Sequence, residues 1–290
     1  MTRHIEGMPE LPEVEVLVRH LAPLVRGRTV RDVDVRREKV TRPTGAKKLA
    51  AALTGARFGE LTRRGKYMLF TLHRGKEAPI QLLGHLGMTG RMFLQPHTEP
   101  LPKHAAVVLS LGKERFVFED TRYFGRFTLD LSSVKQLGPE PFAKEFTPEY
   151  FGQALKRSAQ ARKVKLLDQT LVAGVGNIYA SEALHRAGVS PRKPARRLSA
   201  AEVERLHRTI REVLKEAIRF GSTVPLDWQG GEAGDGLFYY GTAPDASRYY
   251  TERLLVYDRF GLPCGTCGTA IRRIVQAARS TFYCPTCQRR

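Results

Sequence analysis

The apolar residues Val14, Leu17, Val18, Leu21, Leu24 and Val25 recur at helical spacing between Pro12 and Arg26. The spacing predicts a helix with one buried face, and Gly27 supplies a stop. From Thr29 the period shortens. The stretches TVRDVDV, YMLFTL, PIQLLGHLGM, HAAVVLSL, ERFVFED and RFTLDL are rich in Val, Phe, Leu and Thr and are separated by Gly, Pro and charged clusters. They predict the short strands of an antiparallel sandwich or barrel ending near Leu131. LGPEPF, Leu137 to Phe142, has the Gly and Pro content of a linker.

From Thr147 to Phe220 the pattern is helical again. Thr147 before Pro148 predicts a capped helix start with Pro at its first position. Ser199 and Glu202 form a capping box ahead of Val203, Leu206, Ile210, Val213, Leu214 and Ala217, and Gly188 and Gly221 fit helix ends. Residues Gly221 to Glu252 are rich in Gly and aromatics without periodicity, so they read as a loop that is either functional or disordered. The chain shows no internal repeat and no low-complexity tract.

Composition narrows the class. At 290 residues with 42% hydrophobic content, one large domain or two can bury a core. No run of about 18 apolar residues predicts a membrane span, and MTRHIEG lacks the apolar stretch of a secretory signal, so an intracellular, cytoplasmic place is the expectation. The charge says more. Lys and Arg number 48 against 29 Asp and Glu, a formal +19. Such a surplus repels itself unless an anion offsets it, and nucleic acid is the first candidate. The plainer reading is a solvated basic surface or a ribosome-associated protein. The basic residues are spread along the chain, which favours a folded basic face over a disordered arm.

All four cysteines fall in the last 27 residues, as Cys264-x2-Cys267, sixteen residues, then Cys284-x2-Cys287. An intracellular chain rarely uses such a cluster for disulfides. Two knuckles supply four thiolates that close a tetrahedral Zn2+ site, and with no open position the zinc is structural. Redox pairs or an iron–sulfur centre are the alternatives. Arg272, Arg273 and Arg279 between the knuckles suit phosphate contact or plain solvation.

Six motifs then occur in order: MPELPEVE at Met8–Glu15, RRGKY at Arg63–Tyr67, HLGMTG at His85–Gly90, DTRYFGR at Asp120–Arg126, LLDQTLVAGVGNIYASE at Leu166–Glu182, and TFYCPTCQ at Thr281–Gln288. Together they resemble the bacterial formamidopyrimidine-DNA glycosylases, the Fpg/MutM branch of the Fpg/Nei family, over nearly all the chain from Met8. PELPE favours this branch over the endonuclease VIII group. The resemblance implies an α+β protein: an N-terminal catalytic β-sandwich with a flanking helix (8–137), a helix–two-turn–helix DNA-binding domain (143–222), a lesion-capping loop (223–253) and a zinc ribbon (254–290). It implies a monomer working at the nucleoid, with DNA in a cleft between domains. The implied activity is excision of 8-oxoguanine and formamidopyrimidines from duplex DNA, then strand cleavage by β- and δ-elimination.

The resemblance places the nucleophile on Pro9, as the amine of an N-terminal proline. A free secondary amine can attack sugar C1′ and form an iminium, whereas an internal proline nitrogen is an amide with a delocalised lone pair. The expectation is therefore that functional translation starts at Met8, that this methionine is removed, and that residues 1–7 are an over-extended gene start. Glu10 is the implied acid/base residue beside the nucleophile. Lys66 is the implied lysine that contacts the lesion strand and assists proton transfer, or else only binds phosphate. Glu13 and Glu182 are expected to tune the terminus and shape the pocket.

Base excision needs the damaged nucleotide outside the stack, and something must fill the hole. Met88, Arg122 and Phe124 match the family's filling residues, with Arg122 directed to the orphan cytosine; considered alone, Met88 and Phe124 would be core residues. Thr121 and Tyr123 depart from the commoner DPRRFG, and Tyr123 is an extra aromatic expected to stack on the estranged pair. His85, His104, Lys163, Asn177, Tyr179 and Arg279 match phosphate contacts. Asn177 opens a helix after the Gly174/Gly176 turn, a natural anion site. Arg279 is also assigned to δ-elimination. For His85 and His104 a buried, hydrogen-bonded histidine is the alternative, and for Tyr179 core packing. Residues Tyr239–Tyr250 look like an insertion in the capping loop, and Asp258 stands where a glycine is common after the tyrosine that matches Tyr257. A non-catalytic zinc-ribbon DNA-binding protein is the alternative function; a zinc-dependent nuclease is disfavoured because four cysteines leave no ligand position for water.

Overall fold

The computed structural model describes residues 9–220 and 253–289. These residues divide into two compact units, one of 13–135 and one of 9–12, 136–220 and 253–289. The first seven residues, Met8 and most of the expected capping loop, with its Tyr239–Tyr250 insertion, lie outside the described residues.

The 13–135 unit is two antiparallel sheets around a main core, with a small second cluster of Phe93, Ala105, Val108 and Val117. Helix α1 (Leu11–Val25) supplies Val14, Leu17, Val18, Leu21 and Val25 to the main core, and Gly27 follows the helix at a φ of 78°. The helix α2 (Ala46–Leu53) adds Leu49 and Leu53. One sheet runs β1 (Asp32–Val35), β6 (Ala105–Ser110), β7 (Glu114–Asp120), β5 (Gly90–Pro96). The other runs β2 (Arg57–Arg64), β3 (Tyr67–His73), β4 (Ile80–His85), β8 (Arg126–Thr128). A short helix α3 (Ser132–Lys135) closes the unit.

Alternation decides which residues face inward. Met68, Phe70 and Leu72 of β3 are buried and their neighbours in sequence are not. Phe70 meets Phe116 of β7 edge-on at 5.8 Å, and Phe116 stacks on Phe127 of β8 at 5.9 Å. Such aromatic contacts add roughly 0.5–1.5 kcal/mol each beyond area burial. The sandwich alternative of the sequence reading is therefore the one realised.

The other unit is helical. Thr147 caps α4 (Pro148–Lys156), its side chain accepting from the Tyr150 N–H at 3.1 Å. The short α5 (Arg162–Leu166) leads through a glycine turn into α6 (Asn177–Arg186), which is buried on all sides from Ile178 to His185. Helix α7 (Ala200–Arg219) has the predicted capping box and buries Val203, Leu206, Ile210, Val213, Leu214 and Ala217 on one face. Each fully buried aliphatic side chain of that face contributes roughly 2 kcal/mol. The unit ends in a hairpin of β9 (Arg272–Gln276) and β10 (Arg279–Tyr283) between the cysteine knuckles. The turn residues Ala277 and Ala278 both adopt positive φ, 48° and 57°.

Candidate functional site

Glu10 is buried at the start of α6. Its carboxylate accepts the Ile178 N–H at 2.8 Å through one oxygen and the Tyr179 N–H at 3.5 Å through the other. The first N–H groups of a helix have no partner within it, and the helix dipole favours an anion there. Two glycines make this approach possible. A Cβ on Gly176 would lie 2.2 Å from the Glu10 carboxyl carbon, and one on Gly174, whose φ is 89°, would lie 2.6 Å from the Leu11 side chain. Leu11 N–H also donates to the Gly174 carbonyl at 3.1 Å, so the Pro9–Glu10–Leu11 segment is clamped by backbone as well as side chain. Gln169 holds the turn from beneath, accepting from Gly174 N–H at 2.8 Å and donating to the Val175 carbonyl at 2.8 Å. Pro9 is itself buried, one peptide bond from the carboxylate.

Lys163 lies in the same unit and is only 1% exposed. Its ammonium donates to Asn177 Oδ1, to the Ser280 carbonyl at 2.7 Å and to Thr281 Oγ1 at 3.0 Å. Because an ammonium only donates, the Asn177 amide must turn its oxygen to Lys163; its Nδ2 then donates to the Tyr257 hydroxyl at 3.3 Å. Burial pulls Lys163 down to about 7, with Arg279 adding to the fall and Glu10 opposing it. Burial likewise pushes Tyr257 up to about 12, eased by its bond with Asn177. Arg279 is exposed at the start of β10, next to the Ser280 that Lys163 holds.

Glu182, five residues past Asn177 on α6, serves a different purpose. It is fully buried and accepts the N–H groups of Leu255, Val256 and Tyr257 at 2.9, 3.0 and 2.8 Å. Burial raises its proton affinity and the three donors oppose that. The bonds fix Tyr257 and the turn at Asp258, whose φ of 56° is the left-handed geometry that a glycine adopts without strain.

The four cysteine sulfurs all lie within 4.8 Å of one another, with Cys264–Cys287 at 3.9 Å and Cys267–Cys284 at 3.4 Å. Four thiolates on a tetrahedral zinc stand about 3.8 Å apart. The donor set and spacing therefore fit one closed Zn2+ site with no place for water. When bound, the ion ties the two knuckles together beneath the β9–β10 hairpin.

In the 13–135 unit, Asp120 organises two loops at once. Fully buried, it accepts the Thr89 hydroxyl at 2.6 Å, the Arg122 N–H at 3.1 Å and the Gly125 N–H at 2.8 Å. Thr89 follows Met88, so one carboxylate sets the loops of Met88, Arg122 and Phe124. Gly87 and Gly125 let those loops touch: a Cβ on Gly87 would fall 2.6 Å from Gly125 N. Phe124 is 48% exposed, with the Arg122 guanidinium 4.9 Å and the Lys39 ammonium 5.5 Å from its ring centroid. Met88 is half-buried. An exposed aromatic flanked by cations differs from the core residue that Phe124 would be on pattern alone.

His85 lies against Tyr67 with the rings tilted and their centroids 4.7 Å apart, and its Nδ1 accepts the Gly87 N–H at 3.3 Å. Desolvation, reinforced by Lys66 and Arg126 and opposed by Asp120, pushes it down to about 4. At neutral pH the ring is uncharged with its proton on Nε2, a donor suited to phosphate. Lys66 sits in the two-residue turn between β2 and β3, after Gly65 at a φ of 59°. Tyr123 is not a bare stacking surface: its hydroxyl meets Arg37 and His104, and Arg37 covers its ring. Tyr179 is 1% exposed, its ring in the helical core, and it meets Glu10 through its backbone N–H.

The sequence reading thus named residues that gather in two places. Pro9, Glu10, Lys163, Asn177, Tyr179, Arg279 and the cysteines belong to the helical unit, and Lys66, His85, Met88, His104, Arg122 and Phe124 to the sandwich unit. It missed Asp120, Gln169, Arg37 and Thr89. Asp120 stood inside a quoted motif, but nothing local told that its acceptors serve two loops.

Three family models match the chain. That of the formamidopyrimidine-DNA glycosylase N-terminal domain covers residues 8–127, that of the H2TH domain 137–226, and that of a zinc finger found in FPG and IleRS 261–290. A formamidopyrimidine-DNA glycosylase of Thermus thermophilus is 43% identical over 288 residues, covering 97% of this chain and 98% of its own. The chain belongs to the formamidopyrimidine-DNA glycosylase family. A Desulfitobacterium hafniense member is 40% identical over 290 residues, covering 97% of this chain and all of its own. Among solved structures, a complex of Lactococcus lactis Fpg with abasic-site DNA superposes with a TM-score of 0.85 at 30% identity, and one with N7-benzyl-Fapy-dG DNA with 0.84 at 31%. Both cover 97% of this chain and all of theirs. The α+β family fold, with sheets first, then H2TH helices and a zinc finger, is the fold described above.

Proposed function

We infer that the chain is a DNA glycosylase of base excision repair that removes 8-oxoguanine and formamidopyrimidines from duplex DNA and then cuts the strand at the abasic site. The observation that carries the reading is the Pro9–Glu10 pair held at the N-terminus of α6. It sets a buried carboxylate one peptide from a proline nitrogen in a chain of this family.

In the proposed mechanism the Pro9 secondary amine attacks C1′ of the everted nucleotide. The C1′–base bond breaks and the base leaves with a proton. The sugar ring then opens as O4′ takes a proton, leaving an iminium between C1′ and the proline nitrogen. That cation acidifies the C2′ proton; its loss expels the 3′ phosphate, and δ-elimination expels the 5′ phosphate. Glu10 moves protons at the sugar. Lys66 contacts the lesion strand and assists proton transfer. Arg279 clamps phosphate and serves the second elimination. The nitrogen must be uncapped, so the reaction requires a chain whose first residue is Pro9.

His85, His104 and Asn177 are proposed phosphate contacts. Buried Lys163 supports this role by holding Asn177, and Tyr179 by its backbone at Glu10. Met88, Arg122 and Phe124 are proposed to fill the space left by the extruded nucleotide, which offsets part of the few kcal/mol that extrusion costs. The 8–137 region would carry this filling, 143–222 and 254–290 the grip on the backbone, and 223–253 the cap on the base. A monomer at the nucleoid is the proposed working unit. No helix among the described residues is long and apolar enough to cross a membrane.

The test is a duplex with a single 8-oxoguanine opposite cytosine. The Pro9-initiated chain should release the base and nick the strand at the same position. Release of neither product overturns the reading.

A further inference from the structure

Tyr123 sits in the loop between Arg122 and Phe124 at a φ of 53°, a conformation that side chains rarely adopt. Its hydroxyl explains what holds it there. Arg37 Nε donates to that oxygen at 3.1 Å, and the Arg37 guanidinium carbon lies 5.4 Å from the ring centroid. His104 Nδ1 lies 3.4 Å from the same oxygen, with the two rings 6.4 Å apart. A phenol has one proton to give, and a guanidinium has no lone pair to accept it. Arg37 occupies a lone pair of the Tyr123 oxygen, which leaves the phenol proton free to point at His104 Nδ1. A neutral imidazole that accepts at Nδ1 carries its proton on Nε2.

We propose that Tyr123, held by Arg37, is a positioning residue that fixes His104 as an Nε2–H donor for a DNA phosphate. The proposal rests on the reading of His104 as a phosphate contact. It gives His104 the proton arrangement that Gly87 imposes on His85, whose Nδ1 is likewise filled by a donor. The two histidines thereby offer Nε2–H donors, one fixed by a backbone N–H and the other by a tyrosine that no local pattern links to it. Nineteen residues separate Tyr123 from His104 and 86 separate it from Arg37.

The test is a double-mutant cycle of Tyr123→Phe and His104→Ala, read as affinity for a duplex with an uncleavable abasic-site analogue. Phenylalanine keeps the ring and removes only the hydroxyl. Tyr123→Phe should weaken binding about five-fold, the worth of one ordinary hydrogen bond. His104→Ala should weaken it at least as much, and the double variant no further than His104→Ala. A Tyr123→Phe loss that persists in full without the imidazole marks a purely structural residue and overturns the proposal, as does the absence of any loss in either single variant.

A second readout is the 15N spectrum of the His104 ring in the free protein. Nδ1 should be an unprotonated, hydrogen-bonded nitrogen that shifts in Tyr123→Phe; a proton on Nδ1, or no shift, overturns the assignment. This readout needs no DNA. A wild type that failed to excise 8-oxoguanine would sink the functional reading alone.

Discussion

The Glu10 carboxylate fills the space that a side chain at Gly176 would need: a Cβ there would stand 2.2 Å from its carboxyl carbon. Gly176 has an ordinary extended backbone, φ −130°, so the glycine is required by space and not by conformation. Gly176→Ala should push Glu10 off the α6 N–H groups while the helix still forms. Displacing a reacting group by about 1 Å can cost on the order of 100-fold in rate. Single-turnover base release should fall by that order while zinc content stays at one per chain. Unchanged release would show that Glu10 need not sit where α6 holds it.

Asp120 makes a second prediction. Asparagine is isosteric but turns an N–H2 towards one of the donors, Thr89 or the Arg122 and Gly125 amides. Leaving a buried donor unmatched costs roughly 1–3 kcal/mol. Asp120→Asn should lower Tm by several degrees and weaken lesion-duplex binding, because the Met88 and Arg122–Phe124 loops lose their common anchor. Binding that survives a lowered Tm intact would separate the loops from the carboxylate.

The β9–β10 turn stores strain that can be removed. Ala277 and Ala278 both hold left-handed φ, which costs an L-residue roughly 1–2 kcal/mol. Two-residue hairpin turns of this hand prefer asparagine followed by glycine. The double substitution Ala277→Asn with Ala278→Gly should stabilise the zinc hairpin by about 1 kcal/mol. Slower loss of zinc to a chelator, followed as thiols exposed to a colorimetric thiol reagent, would report it. Faster loss would mean that Arg279 and its neighbours depend on the strained turn.

Much of this was legible in the sequence, and the division follows the range of the interactions. The Thr147 cap, the Ser199–Glu202 box and the two cysteine knuckles are set by residues three apart, and each is present as read. Alternation in β3 and the helical face of α7 were likewise readable. Glu10 meeting Ile178, or Glu182 meeting the 255–257 backbone, joins residues far apart in sequence. No local period carries such pairings. Tyr123 shows the same limit. Its type suggested a stacking surface, and only the approach of Arg37 and His104 gives its hydroxyl a partner.

Lys163 predicts a pH dependence. Its folded pKa is pulled down to about 7 from the 10.5 of a free lysine, chiefly by burial. Between those two values the unfolded chain binds the extra proton, so stability from this group rises with pH across that window. Below about 7 both states are charged and its penalty is constant. Urea titrations of wild type and Lys163→Met at pH 7 and pH 9.5 should show wild type gaining relative to the variant at the higher pH. A gap independent of pH would mean that Lys163 titrates as an ordinary lysine.

The central claim is a bond between Pro9 and the deoxyribose. Borohydride reduction of the Pro9-initiated chain on 8-oxoguanine duplex should give a covalent adduct, and peptide mass spectrometry should place the DNA on Pro9. An adduct mapped to Lys66, Lys163 or any other amine, or excision at full rate with no trappable adduct, would contradict the account.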